Sequence, residues 1–288
     1  MIKETNKSKC TLIVITLMIF FNTTFGQEKP NIIFIMADDL GYADVGVYGQ
    51  KLIKTPNIDQ LSAEGMRFTD YYSGAAVCAP ARSVLMTGLH TGHTRIRGNF
   101  GKGGVVGLAG KQGRVPIKEE DLTLAEVLQE NGYRTGMIGK WGLGEPNTSG
   151  EPNKKGFDYF FGFYNQRRAH SYYPDYIWEN TNKVKLHGNE NEQNHQYTHN
   201  LFADESVNFI DRNHQKPFFL YLPVCIPHSR YELPDNGIYT HKKGWTDLQK
   251  KYAAMVTRLD ETVGRIVKRL NALGISDKTY IFFTSDNG

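Results

Sequence analysis

The sequence predicts an α/β fold built on a doubly wound, mostly parallel sheet flanked by helices. Three observations predict it: short continuous apolar runs, longer runs with helical spacing between them, and polar residues directly after the apolar runs. Strands that alternate with helices favour parallel βαβ units with right-handed crossovers. No internal repeat or low-complexity tract interrupts this pattern.

The elements follow from these runs. A continuous apolar run suits a strand that is buried on both faces, and residues 31–36 form such a run. Further strands are predicted over 134–138, 217–223 and 280–284. Helical spacing predicts helices over 121–131, 200–212 and 248–273, and a shorter helix over 83–89 that Ser83 would cap. Residues 142–197 are rich in Asn, Tyr, Gly, His and Pro without a clear period, so we expect long loops over an active face there.

The first 26 residues have the pattern of a secretory signal peptide. Lys3, Lys7 and Lys9 precede an apolar run over 12–21, and small residues stand just ahead of Gln27. The apolar run is too short to span a membrane. We therefore expect cleavage after residue 26, a secreted or periplasmic mature protein, and no membrane association after cleavage.

The cysteines and the charge exclude two classes of protein. After cleavage only Cys78 and Cys225 remain, and two distant cysteines do not build a disulfide scaffold. The net charge is +4 in 288 residues, and the basic residues are interspersed with acidic ones. The sequence therefore lacks a block of basic residues of the kind that would indicate a nucleic acid as partner.

Polar residues follow four of the predicted strands, at the point where each strand ends. They are Asp38, Asp39, Lys140, His228, Asp286 and Asn287. Taken singly, each has an ordinary explanation as a cap, a turn or a solvated side chain. The carboxyl ends of parallel strands meet at one edge of a sheet, so all six are expected at the same crevice.

Residues 78–88, CAPARSVLMTG, form the most distinctive segment. Pro80 and small residues surround Cys78, so the backbone is expected to leave regular structure there. A helix that begins nearby would place Cys78 beside its positive N-terminus, with Arg82 one turn away, and this combination favours an anion. The cysteine alone also fits a buried structural residue at a loop–helix junction.

Taken together, these segments resemble the sulfatases of the alkaline phosphatase superfamily. Residues 78–88 match each position shared by the sulfatase signature C-x-P-x-R-x-x-L-x-T-G. The resemblance continues through the segment from 30 to 42, GKW at 139–141, IPH at 226–228 and TSDNG at 284–288. It runs from Lys29 to the last residue and implies that residues 27–288 are a sulfatase catalytic domain of alkaline-phosphatase-like fold whose C-terminal part is missing.

The resemblance implies that Cys78 is oxidised to formylglycine during export, by a formylglycine-generating enzyme or a radical maturase. One hydroxyl of the hydrated aldehyde would attack the sulfate ester, and the other would later release sulfate. One divalent ion, usually Ca²⁺, would be bound by Asp38, Asp39, Cys78, Asp286 and Asn287. Arg82 would hold the formylglycine and the anions of the metal site. Lys140 and His228 would contact the sulfate, with His228 protonating the leaving alcohol.

The chain departs from the family pattern at one position of the site. The family usually has G-K-W-H-L-G, whereas this chain has Gly142 in place of the histidine that would deprotonate the second hydroxyl. His90, His93 and His170 are candidate substitutes. We expect Gly142 to leave open space and His170 to face the active site, as a substitute base or as a substrate contact.

The substrate is expected to be a sulfated carbohydrate. Residues 166–180, QRRAHSYYPDYIWEN, combine aromatic rings with arginines, which suit sugar rings and anionic substituents. The predicted substrate contacts are Arg97, Asn99 and Arg168. Two alternatives remain open: a phosphodiesterase or phosphonate hydrolase of the same superfamily, and a non-catalytic protein that binds sulfated glycans.

Overall fold

A seven-stranded sheet forms the centre of the computed structural model, which describes residues 29–100, 115–190 and 193–288. The signal peptide predicted over residues 1–26 lies outside the described residues. The strands are β1 (Asn31–Ala37), β2 (Arg134–Lys140), β3 (Tyr159–Phe163), β4 (Tyr176–Glu179), β5 (Asn182–Lys185), β6 (Phe218–Pro223) and β7 (Thr279–Ser285). The described α-helices are α1 (Pro56–Glu64), α2 (Cys78–Thr87), α3 (Leu124–Glu130), α4 (Gln166–Ala169), α5 (Thr198–Asn213) and α6 (Asp247–Leu273).

The strand order is β5–β4–β3–β2–β6–β1–β7. The pairs from β3 to β7 are all parallel, whereas β4 and β5 add an antiparallel hairpin at one edge. Strand β1 lies between β6 and β7, with Ile33 opposite Leu220 on one side and Ile281 on the other. The predicted mixed α/β architecture with a mostly parallel sheet is confirmed.

The two faces of the sheet are buried against different helices. On one face, Ile33 and Ile35 of β1 share a core with Phe202 of α5 and Leu259 of α6. On the other face, Met36 shares a second core with residues of α2 and α3. Alternate residues of one strand therefore enter different cores, which explains why the strand sequence is continuously apolar.

The helix of the cysteine segment begins earlier than the sequence analysis predicted. Helix α2 starts at Cys78, with Val77 as N-cap, and ends at Thr87, with Gly88 as C-cap at a φ of 66°. Ser83 lies inside the helix, buried, with its hydroxyl 2.5 Å from that of Thr94, so the prediction that Ser83 caps the helix was wrong. Pro80 is tolerated because N–H groups in the first turn have no intrahelical acceptor.

Long loops were expected over residues 142–197, but the segment also contains regular secondary structure. It contains β3, β4, β5 and the short helix α4. Strand β3 escaped prediction because it has only five residues and is interrupted by Gly162. An ideal Cβ on Gly162 would lie 2.0 Å from the carbonyl oxygen of Gly139 in β2, so this position requires a glycine.

The longest described helix, α6, is amphipathic. Its buried residues recur at helical spacing and include Val256, Leu259, Val263 and Ile266, while Glu261, Arg265 and Lys268 are exposed. Within residues 29–100, 115–190 and 193–288, no helix combines the length and the apolar composition needed to cross a bilayer.

His199 of α5 is a buried titratable group that packs against α6. Its Nε2 lies 2.9 Å from the hydroxyl of Thr262, and only 3% of the residue is exposed. Burial lowers the pKa of its imidazole from the ordinary 6.5 to about 4. Between these two pKa values, His199 is therefore neutral in the folded protein and protonated in the unfolded chain.

We expect His199 to make the protein less stable in acid. Its contribution is fully present above pH 6.5 and is lost as the pH falls towards 4, by up to about 3 kcal/mol. In urea unfolding, His199→Gln should therefore lose less free energy of unfolding over this interval than the wild type. His241→Gln, at an exposed position, is the control and should follow the wild type. The same pH dependence in all three proteins would contradict this assignment.

Candidate active site

The carboxyl ends of β1, β6 and β7 are tied together by backbone hydrogen bonds. The N–H of Asp38 donates to the carbonyl of Ile226 at 3.1 Å, and the N–H of Asp286 donates to that of Ala37 at 3.1 Å. The N–H of Asp39 donates to Oδ1 of Asp286 at 3.2 Å. The polar residues that follow these strands are therefore held at one edge of the sheet.

Acidic side chains and Cys78 form a tight cluster at this edge. Ligand atoms of Asp38, Asp39, Cys78 and Asp286 all lie within 4.8 Å of one another. The carboxamide nitrogen of Asn287 is 2.9 Å from Oδ1 of Asp286 and 4.0 Å from Sγ of Cys78. The structure thus brings together all five residues predicted to bind the metal, and such a cluster can hold a cation.

Two buried cationic side chains pair with the carboxylates of this cluster. The ammonium of Lys140, the last residue of β2, donates to both oxygens of Asp38 at 2.8 and 2.6 Å. Arg82 donates from Nε and an η nitrogen to Oδ2 of Asp286, at 3.0 and 2.7 Å. Its other η nitrogen donates to the carbonyl of Lys140 at 2.5 Å. Asp38, Lys140, Arg82 and Asp286 are each 0% exposed.

The protonation states follow from burial and from these neighbours. Burial alone would raise the pKa of Asp38, but the charges of Lys140 and Arg82 outweigh it and hold that pKa below its usual value. Burial and the charge of Asp38 raise the pKa of Asp286 despite Arg82. Burial disfavours the charged form of Lys140, but Asp38 outweighs it and raises the pKa of the ammonium. Lys140 therefore stays charged at neutral pH.

Cys78 stands at the first position of α2, over the carboxylates. Burial, and then the charge of Asp38, raise the pKa of its thiol to about 12. These surroundings favour a neutral group at position 78 over an anionic thiolate. Asn99 supports the same turn, because its carboxamide oxygen accepts the N–H of Ala79 at 3.0 Å.

Asp39 faces both Cys78 and His228. Its φ of 60° is unusual for a residue with a side chain and marks a locally strained backbone at the site. Its Oδ1 is 3.8 Å from Sγ of Cys78, and its Oδ2 is 3.3 Å from Nε2 of His228. The His228 side chain is 13% exposed, so it lies at the wall of the crevice.

The loop that carries His228 is fixed by the segment after α4. The hydroxyl of Tyr172 lies 2.9 Å from the carbonyl of Cys225 and 2.8 Å from that of His228, and it donates its proton there. The ring of His170 stacks on the ring of His228, with centroids 4.1 Å apart and an angle of 19° between the planes. His170 therefore contacts a site residue directly.

The expected open space beside Gly142 is occupied. An ideal Cβ on Gly142 would lie 1.9 Å from Nε2 of Gln166, and the φ of Gly142 is 87°. His170 consequently stands over His228 and does not fill the place next to Gly142. His90 and His93 are exposed and face each other, with ring centroids 6.4 Å apart. The prediction of open space beside Gly142 was wrong, because the side chain of Gln166 fills it.

The residues predicted to contact a sugar all have partners within the fold. Arg97 donates to the carbonyls of Thr94 and Gly92 at 3.3 and 2.8 Å. Arg168 forms an ion pair with Asp175, and its guanidinium lies 3.4 Å from the ring centroid of Tyr176. Asn99 accepts the N–H of Ala79 in helix α2. The role of these three residues in substrate binding stays a prediction.

Two further site residues were not identified from the sequence. The hydroxyl of Ser73 contacts the carbonyl of Asp286 and that of Ala75 at 3.0 Å, so it joins the segment before Cys78 to the end of β7. Gln166, the first residue of α4, is the second. Ser73 has no signal in a single sequence, whereas the glycine at 142 could have prompted a search for a compensating side chain.

A comparison with known proteins identifies the family of this chain. The model of the sulfatase family matches residues 30–288. The chain belongs to the sulfatase family. The resemblance that the sequence analysis identified is therefore confirmed.

Two curated sulfatases illustrate the similarity. The chain is 32% identical to the dog (Canis lupus familiaris) N-acetylgalactosamine-6-sulfatase over 281 residues, covering 91% of this chain and 50% of that protein. It is 35% identical to the arylsulfatase of Hemicentrotus pulcherrimus over 277 residues, covering 90% of this chain and 47% of that protein. The chain spans about half the length of these curated relatives.

Among solved structures, the chain is similar to Ps i-CgsB in complex with k-i-k-neocarrahexaose. The TM-score is 0.77 at 34% sequence identity, and the match covers 91% of this chain and 59% of that one. The chain therefore shares the fold of this solved relative over 91% of its own residues.

Removing the Arg82 charge should destabilise the protein strongly. Arg82→Met would leave two buried carboxylates with only Lys140, which typically costs about 3–5 kcal/mol. Arg265→Met is the matched control, because Arg265 pairs with Asp204 at 2.6 Å on the surface, where a pair contributes about 0–1 kcal/mol. Urea unfolding of both variants measures the difference. Equal losses would show that the buried network does not stabilise the fold.

Proposed function

We propose that this protein hydrolyses sulfate esters of a carbohydrate, with a nucleophile made from Cys78 and a bound divalent cation. The observation that carries the proposal is the position of Cys78. It begins helix α2 within 4.8 Å of the carboxylate ligand atoms of Asp38, Asp39 and Asp286. A nucleophile at this position would meet an anionic ester at a helix N-terminus and beside a cation site.

The donor set fits a hard divalent cation. Asp38, Asp39, Asp286 and Asn287 offer carboxylate and carboxamide oxygens, which Ca²⁺ prefers. Three carboxylates face only two buried cations, Lys140 and Arg82, so added positive charge is favourable. When bound, such a cation would act as a Lewis acid and lower the pKa of a hydroxyl at position 78.

Formylglycine at position 78 fits these surroundings better than a thiol does. The thiol has its pKa raised to about 12, so it is not a thiolate at neutral pH. A hydrated aldehyde would instead offer two hydroxyl oxygens, one for attack on sulfur and one for the later release of sulfate. The conversion needs a maturase, either a formylglycine-generating enzyme or a radical enzyme, and residues 1–26 would direct the chain to a secreted or periplasmic location.

Four side chains are proposed to orient the metal ligands or to contact the substrate. Arg82 orients the carboxylates of Asp38 and Asp286, as partners of metal ligands commonly do. Lys140 keeps its charge beside Asp38 and would stabilise negative charge on the sulfate. His228 would give the proton on Nε2 to the oxygen of the leaving alcohol. His170, stacked on His228, would contact the substrate from the same side.

A sulfated carbohydrate is the substrate class that the surroundings favour. The dog relative is named for an N-acetylgalactosamine sulfate, and Ps i-CgsB was solved with a neocarrahexaose. Arg97, Asn99 and Arg168 are the side chains proposed to contact the sugar. Parallel assays with an aryl sulfate and an aryl phosphodiester separate this proposal from a phosphodiesterase, because faster phosphodiester hydrolysis would favour the latter.

Conversion of Cys78 is directly measurable. Peptide mass spectrometry of protein from a host with a maturase should show formylglycine at position 78, and Cys78→Ala should abolish aryl sulfate hydrolysis. Cys225→Ala is the control: this second buried cysteine should tolerate the change with a loss of packing only. Active protein that carries only a thiol at position 78 would disprove the mechanism.

Calcium dependence tests the metal site. Asp39 is the suitable position because its side chain is 37% exposed and its removal should not unfold the protein. Ca²⁺ at about 100 times its dissociation constant should stabilise the wild type by about 2.7 kcal/mol, and Asp39→Ala should lose most of this gain together with activity. Asp277→Ala, at an exposed position, should keep both. Full activity after exhaustive chelation would show that the cluster is not a catalytic metal site.

A further inference from the structure

Gln166 is a buried carboxamide whose hydrogen-bonding groups are not satisfied by the fold. The residue is 1% exposed, and neither Nε2 nor Oε1 has a hydrogen-bond partner among the described residues. Leaving a buried polar group without a partner costs about 1–3 kcal/mol. A side chain that only filled space at this position would be more stable as an apolar residue.

Gln166 connects two segments that carry residues of the active site. On one side it covers Gly142, two residues after Lys140, with Nε2 1.9 Å from the position of an ideal Cβ. On the other side, helix α4 leads from Gln166 to His170, whose N–H donates to the carbonyl of Gln166 at 3.1 Å. His170 in turn stacks on His228. Gln166 therefore links the segment after Lys140 to His170, which contacts His228.

The position of Gln166 is fixed by its neighbour. Asn165 caps α4 through its side-chain oxygen, which accepts the N–H of Arg168 at 3.1 Å. The nitrogen of the same side chain donates to the buried Glu145 at 3.0 Å. The backbone that carries Gln166 is thus anchored on both sides, which preorganises the carboxamide for a ligand.

We propose that Gln166 binds the sulfate group of the substrate, with Nε2 donating a hydrogen bond to a sulfate oxygen. The carboxamide would occupy the place of the histidine that the family usually has at position 142. Unlike an imidazole, it remains neutral and cannot take up a proton, so it binds the oxyanion without acting as a base. This inference rests on the proposed function, and it assigns Gln166 as a substrate-binding residue of the same site.

The test compares an unpartnered buried amide with a partnered one. Gln166→Met keeps the length of the side chain and removes the amide. Asn189→Leu is the matched control, because Asn189 is also buried but its amide bonds Pro174 and Gln196 at 2.7–2.9 Å. Inorganic sulfate is the probe, with its affinity measured by calorimetry, stability measured by urea unfolding, and aryl sulfate hydrolysis measured separately.

Gln166→Met should bind inorganic sulfate roughly 10- to 100-fold more weakly, the effect of losing a hydrogen bond to a charged group. Its stability without sulfate should equal or exceed that of the wild type. Asn189→Leu should show the opposite pattern, with lower stability and unchanged sulfate affinity. This crossed result would not arise from a structural role.

Three results would overturn the inference: wild-type sulfate affinity in Gln166→Met, a loss of stability as large as in Asn189→Leu, or no sulfate binding by the wild type. Failure of the proposed function has a different signature. The wild type would then hydrolyse no sulfate ester, while Gln166→Met would still bind inorganic sulfate more weakly than the wild type.

Discussion

The buried network of Asp38, Lys140, Arg82 and Asp286 is the interaction on which the rest of the site depends. Each of these charges would cost several kcal/mol if it were buried alone, so each requires the others. The four residues come from the ends of β1, β2 and β7 and from helix α2. These ion pairs therefore fix the position of α2 at the edge of the sheet, with Cys78 next to the carboxylates.

The charges of the same network favour the binding of a cation. Lys140 and Arg82 neutralise two carboxylates, and Asp39 adds a third that reaches Cys78 and His228. Burial and mutual repulsion raise the pKa of Asp286 even beside Arg82. A divalent ion would relieve that repulsion, so the network that stabilises the fold also prepares the proposed cation site.

A second layer of contacts positions the histidine wall. Tyr172 holds the loop after β6 through two backbone carbonyls, and His170 supports the ring of His228. Gln166 lies one turn before His170 and covers Gly142. The segment 165–172 thus supplies the side of the site where this chain departs from the usual sulfatase pattern. A change at position 142 and the side chain at position 166 are coupled through space.

The sequence by itself determined the α/β class, the strands β1, β2, β6 and β7, and the polar residues that follow them, because continuous burial and strand ends are local properties. It misplaced the start of α2, since Pro80 suits a first turn as well as a loop, and it missed β3, whose five residues include a glycine. Only the tertiary structure decided that Gln166 occupies the place beside Gly142. That contact joins two different segments, which are brought together where the N–H of Gly142, after β2, donates to the carbonyl of Tyr164, after β3, at 2.9 Å.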